Sequence, residues 1–494
     1  MKTISSYIFL IIFLPYFLFA KPTSVVKDDN SVVQIRSTTQ APNFLQPWRY
    51  KTPENRRFYG IHIGDGQILT LSHPIYYATN IEINKHGSLK SYVGTIVKID
   101  HDLGLALLKV DDPDFKNGLQ SIQFTNDIYI PSTGLVIEYK EYRNLAERRI
   151  RNVKLEVDSY ANGYIELPYL EIQSDEKLEG IGELIVEESS RLAIGLLYSF
   201  KSSQNSGKLI PGLSINQFIE CKKEGSCIPF KGFRFRALQD KASRDYYGIK
   251  KDDQGVLIAE VYPSLFQNPA LSLQIEDVLL EVAGFKVDPK GFIEHPKFGK
   301  VWLSFLIHAM DPNQKKLNYK IPIKILRNRK LMEFDLELKP FEETAIRIPY
   351  GNTRGRKPSF ALIGGIVFTE LSEHYLMEFG NQWRARVSKE LLYLNDFHSI
   401  QRDLSLGNVI ILSQVLPLTG NQSYHSLYQL VLKTVNKQRV KTLRELREIM
   451  QAPESNLFHL EFTNGTEVVF TKKEMETLNL ESQKIFKIPN TYQD

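Results

Sequence analysis

Residues 172–186 read IQSDEKLEGIGELIV: a polar run, a tight glycine turn and then an apolar strand. That shape suits a nucleophile, because backbone N–H groups of a glycine-rich turn can converge on the charge that develops when a hydroxyl attacks a carbonyl. The centre of the turn, however, is Ile181, a branched hydrocarbon with no lone pair to attack with. Ser174, Ser189 and Ser190 are the nearest hydroxyls, and they read as surface or turn residues. His101 beside Asp102 has the form of a metal-ligand pair, although a solvated loop accounts for it better. No metal and no other cofactor is expected.

The elements that would position such groups are mostly strands. A chain of 494 residues is too long for one core, so two to four domains are expected. Hydrophobic residues make up 42% and charged residues 24%, which suits folded domains and argues against wholesale disorder. The net charge of +5 is small and scattered, and the densest basic stretch, RRIRNVK at 148–154, reads as an exposed strand face. No nucleic-acid partner is expected. At the N-terminus Lys2 precedes YIFLIIFLPYFLFA, which ends at Ala20 before polar sequence. This is the pattern of a secretory signal over 1–20, with an uncleaved anchor as the alternative. No later stretch is apolar and long enough to cross a bilayer, so no integral membrane segment is expected once the signal is removed.

Export has a consequence for the only two cysteines, Cys221 and Cys227 in CKKEGSC: an oxidising compartment favours a disulfide closing that loop. Residues 21–44 are polar with Pro and Ser/Thr and read as a linker or arm. From 45 to 222 short β-runs follow one another, among them QILTLS, GLALLKV and RLAIGLLYSF, which suggests antiparallel sandwich or barrel units. A second unit, 229–342, has strands bracketing a helical stretch around VWLSFLIHAM. Residues 343–358 form a connector rich in Arg, Gly and Pro, and a third unit fills 359–494. There Asn464-Gly465 signals a two-residue hairpin turn, and VLKTVNKQRV echoes DVLLEVAGFKV of the second unit, a weak repeat.

These segments, in this order, resemble the Deg/HtrA family of secreted trypsin-like serine proteases. The resemblance runs from about 45 to the C-terminus and includes GGIVFTELSEHYL at 364–376 and ILSQVL at 411–416, where the family has GLVFT…SQVL. It implies a mainly β multidomain protein, a trypsin-like double β-barrel followed by two PDZ-like α+β domains. It places His73 of QILTLSH at the general-base position. The acid position of the D-L-A-L-L-K-V strand holds Gly104, and the serine of the family's G-N-S-G-G-P turn is matched by Ile181, with Glu183 just beyond. Triad chemistry needs all three groups, so the resemblance implies a fold that has lost its proteolytic site.

What remains implies recognition. PDZ-type domains take an extended peptide as an added strand and hold its terminal carboxylate on a G-Φ-G-Φ loop. The matching loop is Gly232, Phe233, Arg234 and Phe235, with Arg234 in place of the second glycine, and Val256 and Ile258 lie on the next strand. Arg234 could hold a carboxylate or block its approach. Two functions compete: a pseudoprotease binding peptides or unfolded proteins as a scaffold, regulatory or chaperone-like subunit, and a serine endopeptidase with a residual or rearranged site. The resemblance further implies a homo-oligomer, with active Deg/HtrA relatives as partners of the inactive form, and a periplasmic or extracellular location.

Overall fold

The computed structural model describes residues 29–139, 145–222, 228–249, 254–262, 272–308, 319–341, 346–400, 406–452 and 456–493. The expected signal at 1–20, and Cys227, lie outside the described residues. The fold is mainly β, and neighbouring strands of its sheets run antiparallel.

The first sheet has seven strands in the order Ser91–Val93, Ala78–Lys85, Val32–Thr39, Glu54–Gly64, Gln67–Leu71, Leu105–Lys109, Thr95–Asp100. Gln67–Leu71 and Leu105–Lys109 are buried on both faces, which is why they read as unbroken apolar runs instead of alternating. Ile68 and Leu108 point into a core around Phe58 and Phe115, while Leu69 and Leu107 point towards the second sheet. Val32–Thr39 corrects the expectation that 21–44 is linker or arm: it sits between two partners in the middle of this sheet. Its sequence VVQIRSTT buries Ile35 at one face beside Ser37 and Thr39, and those buried hydroxyls made the segment look like a polar tether.

The second sheet closes into a six-stranded barrel, Leu167–Gln173, Ser206–Pro211, Ala193–Lys201, Leu184–Glu187, Thr133–Tyr139 and Leu145–Asp158. Arg148, Arg149 and Arg151 on its longest strand are each ion-paired, to Glu138, Glu188 and Asp175 respectively. One apolar cluster joins the two sheets, packing Leu69, Leu71 and Leu105 against Leu184 and Leu196.

The second unit is a twisted sheet in the order Pro229–Phe230, Lys330–Pro340, Tyr319–Arg327, Val278–Val282, Val256–Val261, Phe233–Arg236. The expected helix around VWLSFLIHAM is divided: Gly299–Trp302 is a strand of a hairpin, and the helix begins at Ser304. Bulky and β-branched Val301 and Trp302 suit the pleated hairpin better than a helical turn.

The third unit has the order Glu467–Thr471, Leu457–Phe462, Leu430–Val435, Ile410–Val415, Ile366–Glu370, Phe360–Ile363, Tyr492–Gln493. Asn464-Gly465 does not make the expected two-residue turn. Gly465 alone has positive φ (83°), and Phe462 closes a longer loop by donating its N–H to Thr466 O at 2.9 Å. Paired left-handed residues fall instead at Gly364-Gly365 and Asn436-Lys437, and in the second unit at Ala283-Gly284 and Asn328-Arg329. The pairs at 283–284 and 436–437 lie inside the two echoing segments, which share that turn geometry.

Candidate functional site

His73 opens a short 3-10 turn directly after the strand Gln67–Leu71. Its ring lies edge-on to Tyr198, centroids 5.2 Å apart, and among the described residues its buried Nδ1 has no hydrogen-bond partner. Burial, with help from the Arg56 charge, pulls its pKa down to about 4, so the imidazole is neutral and weakly basic. Gly104 sits at φ 71°, and a Cβ added there would meet Tyr198 Cε2 at 2.7 Å and Ala161 Cβ at 3.3 Å. The Tyr198 ring therefore fills the space that a side chain at 104 would use to reach His73.

Asp102, two residues upstream, is 3% exposed and faces elsewhere. Arg354 Nη2 donates to both its carboxylate oxygens, at 2.7 and 2.6 Å, and Tyr164 N–H donates to Oδ1 at 2.8 Å. The expectation of a solvated loop at His101-Asp102 is corrected by this buried ion pair. His101 packs on Tyr76, and burial with the neighbouring Arg354 and Arg356 lowers its pKa to about 4. Among the described residues no cluster of acids, histidines and cysteines could hold a metal ion.

The glycine turn is where the geometry is most specific. Gly180 and Gly182 have φ of 73° and 99°, and a Cβ on Gly180 would lie 2.3 Å from Phe200 N, so only glycine fits. The turn aims the N–H groups of Glu179, Gly180 and Ile181 at one point. That point is occupied by the Glu183 carboxylate: Glu179 and Gly180 donate to Oε1 at 3.1 and 2.9 Å, and Ile181 donates to Oε2 at 2.7 Å. Glu183 is fully buried, and burial raises its pKa to about 7 against the opposing pull of those N–H donors. Ile181 turns its half-buried side chain towards the cluster shared by the two sheets and the cluster on the other side of the first sheet. Ser174 donates to Arg149 O, and Ser189 donates to the Glu187 carboxylate, so neither hydroxyl reaches His73.

In the second unit Phe233–Arg236 is the last strand of its sheet, paired with Val256–Val261 on one side and with no strand on the other among the described residues. Phe233 is 1% exposed, and Val256 and Ile258 are wholly buried, so these three belong to the core and offer no surface to a ligand. The Phe235 ring lies tilted against Trp302, centroids 5.2 Å apart. Gly232 has φ 69°, and Arg234 reaches Tyr350 Oη at 3.2 Å and Glu260 at 3.8 Å. The preceding Lys231, which sequence reasoning passed over, is buried and pairs with Glu166 at 2.6 Å, beside Ser304, whose hydroxyl also donates to Glu166. A cavity of about 140 Å³ lies against Lys231, Arg234, Tyr164, Tyr262 and Tyr350. The strand Ile366–Glu370 of the third unit, by contrast, has both edges taken, by Phe360–Ile363 and Ile410–Val415.

Two facts missed from sequence had weak signals. A lysine directly before the G-Φ-x-Φ loop marks a charge at the base of that loop, and a glutamate two residues past a Gly-x-Gly turn can fold back onto its amides. Tyr198 and Arg354 had none, being distant in the chain from the groups they touch.

The signature of a PDZ domain matches residues 348–493. Over 92% of its length the chain is 24% identical to the putative mitochondrial protease Do-like 11 of Arabidopsis thaliana, covering 72% of that protein. It is 23% identical over 89% of its length to the putative protease Do-like 13 of the same plant, covering 84% of it. Among solved structures, the HtrA-type protease AlgW with decapeptide overlaps 63% of this chain and 96% of its own, at 18% identity and a TM-score of 0.45. Along about nine tenths of its length the chain is thus similar to Do-like proteases, and its third unit carries the signature of a PDZ domain. No helix of the described residues is long and apolar enough to cross a membrane.

Proposed function

We propose that this is an exported Deg/HtrA-type pseudoprotease that binds peptides or unfolded proteins, as a scaffold, regulatory or chaperone-like subunit of envelope protein quality control. One observation carries the reading: the amide cluster that would stabilise a substrate oxyanion is already filled by the Glu183 carboxylate. A substrate carbonyl would have to displace a buried group held by three N–H donors, next to a negative charge, which raises the barrier instead of lowering it. The missing hydroxyl at Ile181, the Tyr198 ring over Gly104 and the commitment of Asp102 to Arg354 support the same conclusion.

Recognition then falls to the second and third units. In this reading the second unit is PDZ-like as well, and an extended peptide adds to the free edge of Phe233–Arg236, its carboxylate meeting Arg234. The chain works as a homo-oligomer or beside active relatives. A fluorophosphonate probe applied to the full chain, with trypsin as control, should label no serine here. Specific labelling of a serine would return the endopeptidase reading.

A further inference from the structure

The third unit holds a cavity of about 370 Å³ away from both sites described so far, between the helix Lys389–Phe397 and the first residues of the strands Ile410–Val415 and Leu430–Val435. Two arginines line it. Arg347 is half-buried, and among the described residues its side chain makes one hydrogen bond, from Nε to Gly407 O at 3.0 Å. Arg439 is exposed at the mouth, in the two-residue strand Gln438–Arg439. Among the described residues neither guanidinium is paired with a carboxylate. The charged neighbour that Arg347 feels is Arg439, and burial together with that like charge lowers its pKa. Lys433, also on the wall, is already taken by Glu461 at 2.6 Å.

Two like charges held together, one of them half out of water, are unfavourable unless an anion joins them. The rest of the lining says which anion. Leu394, Val409 and Val431 make an apolar wall, and the Glu390 carboxylate on the helix repels a second negative charge. We propose that this cavity is a binding site for a monoanionic carboxylate with a compact apolar body, its carboxylate between Arg347 and Arg439 and its body against Leu394 and Val431. The volume fits a ligand of amino-acid to dipeptide size. The proposal is independent of whether the barrel is catalytic and of the edge strand in the second unit.

Saturation-transfer NMR on the full chain tests it with N-acetyl-leucine and its uncharged amide as probes. N-acetyl-leucine should give a saturable signal, the amide should give little, and Arg439→Gln should weaken the acid by about tenfold or more, the scale of one charge-assisted contact. Arg439 is exposed, so the variant keeps its fold, and circular dichroism confirms that. Octanoate and a C-terminally free Ala-Leu dipeptide distinguish a fatty acid from a peptide end as the source of the carboxylate. Equal binding of acid and amide overturns the proposal. So does unchanged binding in the Arg347→Gln/Arg439→Gln variant, or the absence of any saturable signal.

Discussion

At the scale of single residues, Glu183 shows how the converging amides of a glycine turn can be satisfied from within the chain. The glycines that bend the backbone are still required, since a Cβ on Gly180 has nowhere to go. The converging amides now serve a carboxylate of the same chain. This has a pH signature. The folded pKa, about 7, lies above the group's ordinary 4.5, so the folded chain binds the proton more tightly than the unfolded one. The stability tied to this group is then complete below about 4.5 and is lost as pH rises through about 7, a total of roughly 3 kcal/mol. Glu183→Gln removes that slope and places an amide N–H opposite backbone donors, costing about 1–3 kcal/mol at pH 5. Urea midpoints of both proteins should therefore converge between pH 5 and pH 8; parallel curves would show that Glu183 stays ionised throughout.

At the scale of elements, the connector between the second and third units does more than span a gap. Its Arg354 reaches the first sheet, clamps Asp102 and lies over the rings of Tyr164 and Phe341. Arg354→Met leaves Asp102 as an unpaired buried carboxylate and should cost about 3–5 kcal/mol in urea unfolding. Adding Asp102→Asn should recover most of that loss, because the Tyr164 N–H still finds an acceptor. If the double variant is as unstable as the single one, packing and not charge holds the connector. The edge strand of the second unit has its own test. A fluorescent heptapeptide with a free C-terminus should bind the full chain, and Arg234→Glu should weaken it about tenfold or more. The amidated peptide should lose as much. No change in either case would mean that Arg234, held by Tyr350 and Glu260, bars the carboxylate.

At the scale of the whole molecule the three units are interlocked. One apolar cluster runs from Ile172 and Leu197 of the barrel to Val256 and Phe305 of the second unit, and Lys231 bridges the same boundary to Glu166. The segment before the second strand of the first sheet reaches the third unit: Trp48 packs on Phe360, Leu45 O accepts from Gln414, and Lys51 pairs with Glu378 at 2.7 Å. Units that share a core have little reason to melt apart. Urea unfolding followed by tryptophan fluorescence, which reports Trp48, Trp302 and Trp383, should coincide with loss of far-UV dichroism. Separate transitions would show that the boundaries are surface contacts only. Cys221 is disulfide-bonded at the joint between barrel and second unit. If its partner is Cys227, opening so short a loop should cost about 2 kcal/mol of stability and lower the urea midpoint without dividing the transition.

The sequence by itself determined what depends on local pattern. Apolar runs such as Ile68–Leu71 and Leu105–Leu108 announced strands, and the unbroken burial of those strands on two faces is written in their composition. The lack of a hydroxyl in the 177–186 turn was equally plain, as was the odd Arg234 in its loop. Tertiary structure alone decided what fills each vacancy. Tyr198 lies 94 residues from Gly104 along the chain and Arg354 lies 252 from Asp102, yet these contacts set the surroundings of Gly104 and Asp102. Even the nearby Glu183 could be read only as a charge in the wrong place, until the backbone angles at Gly180 and Gly182 turned three amides towards it. Side-chain type is a local property, but electrostatic environment is set by whatever the fold brings within a few ångströms, and a linear pattern carries no record of that.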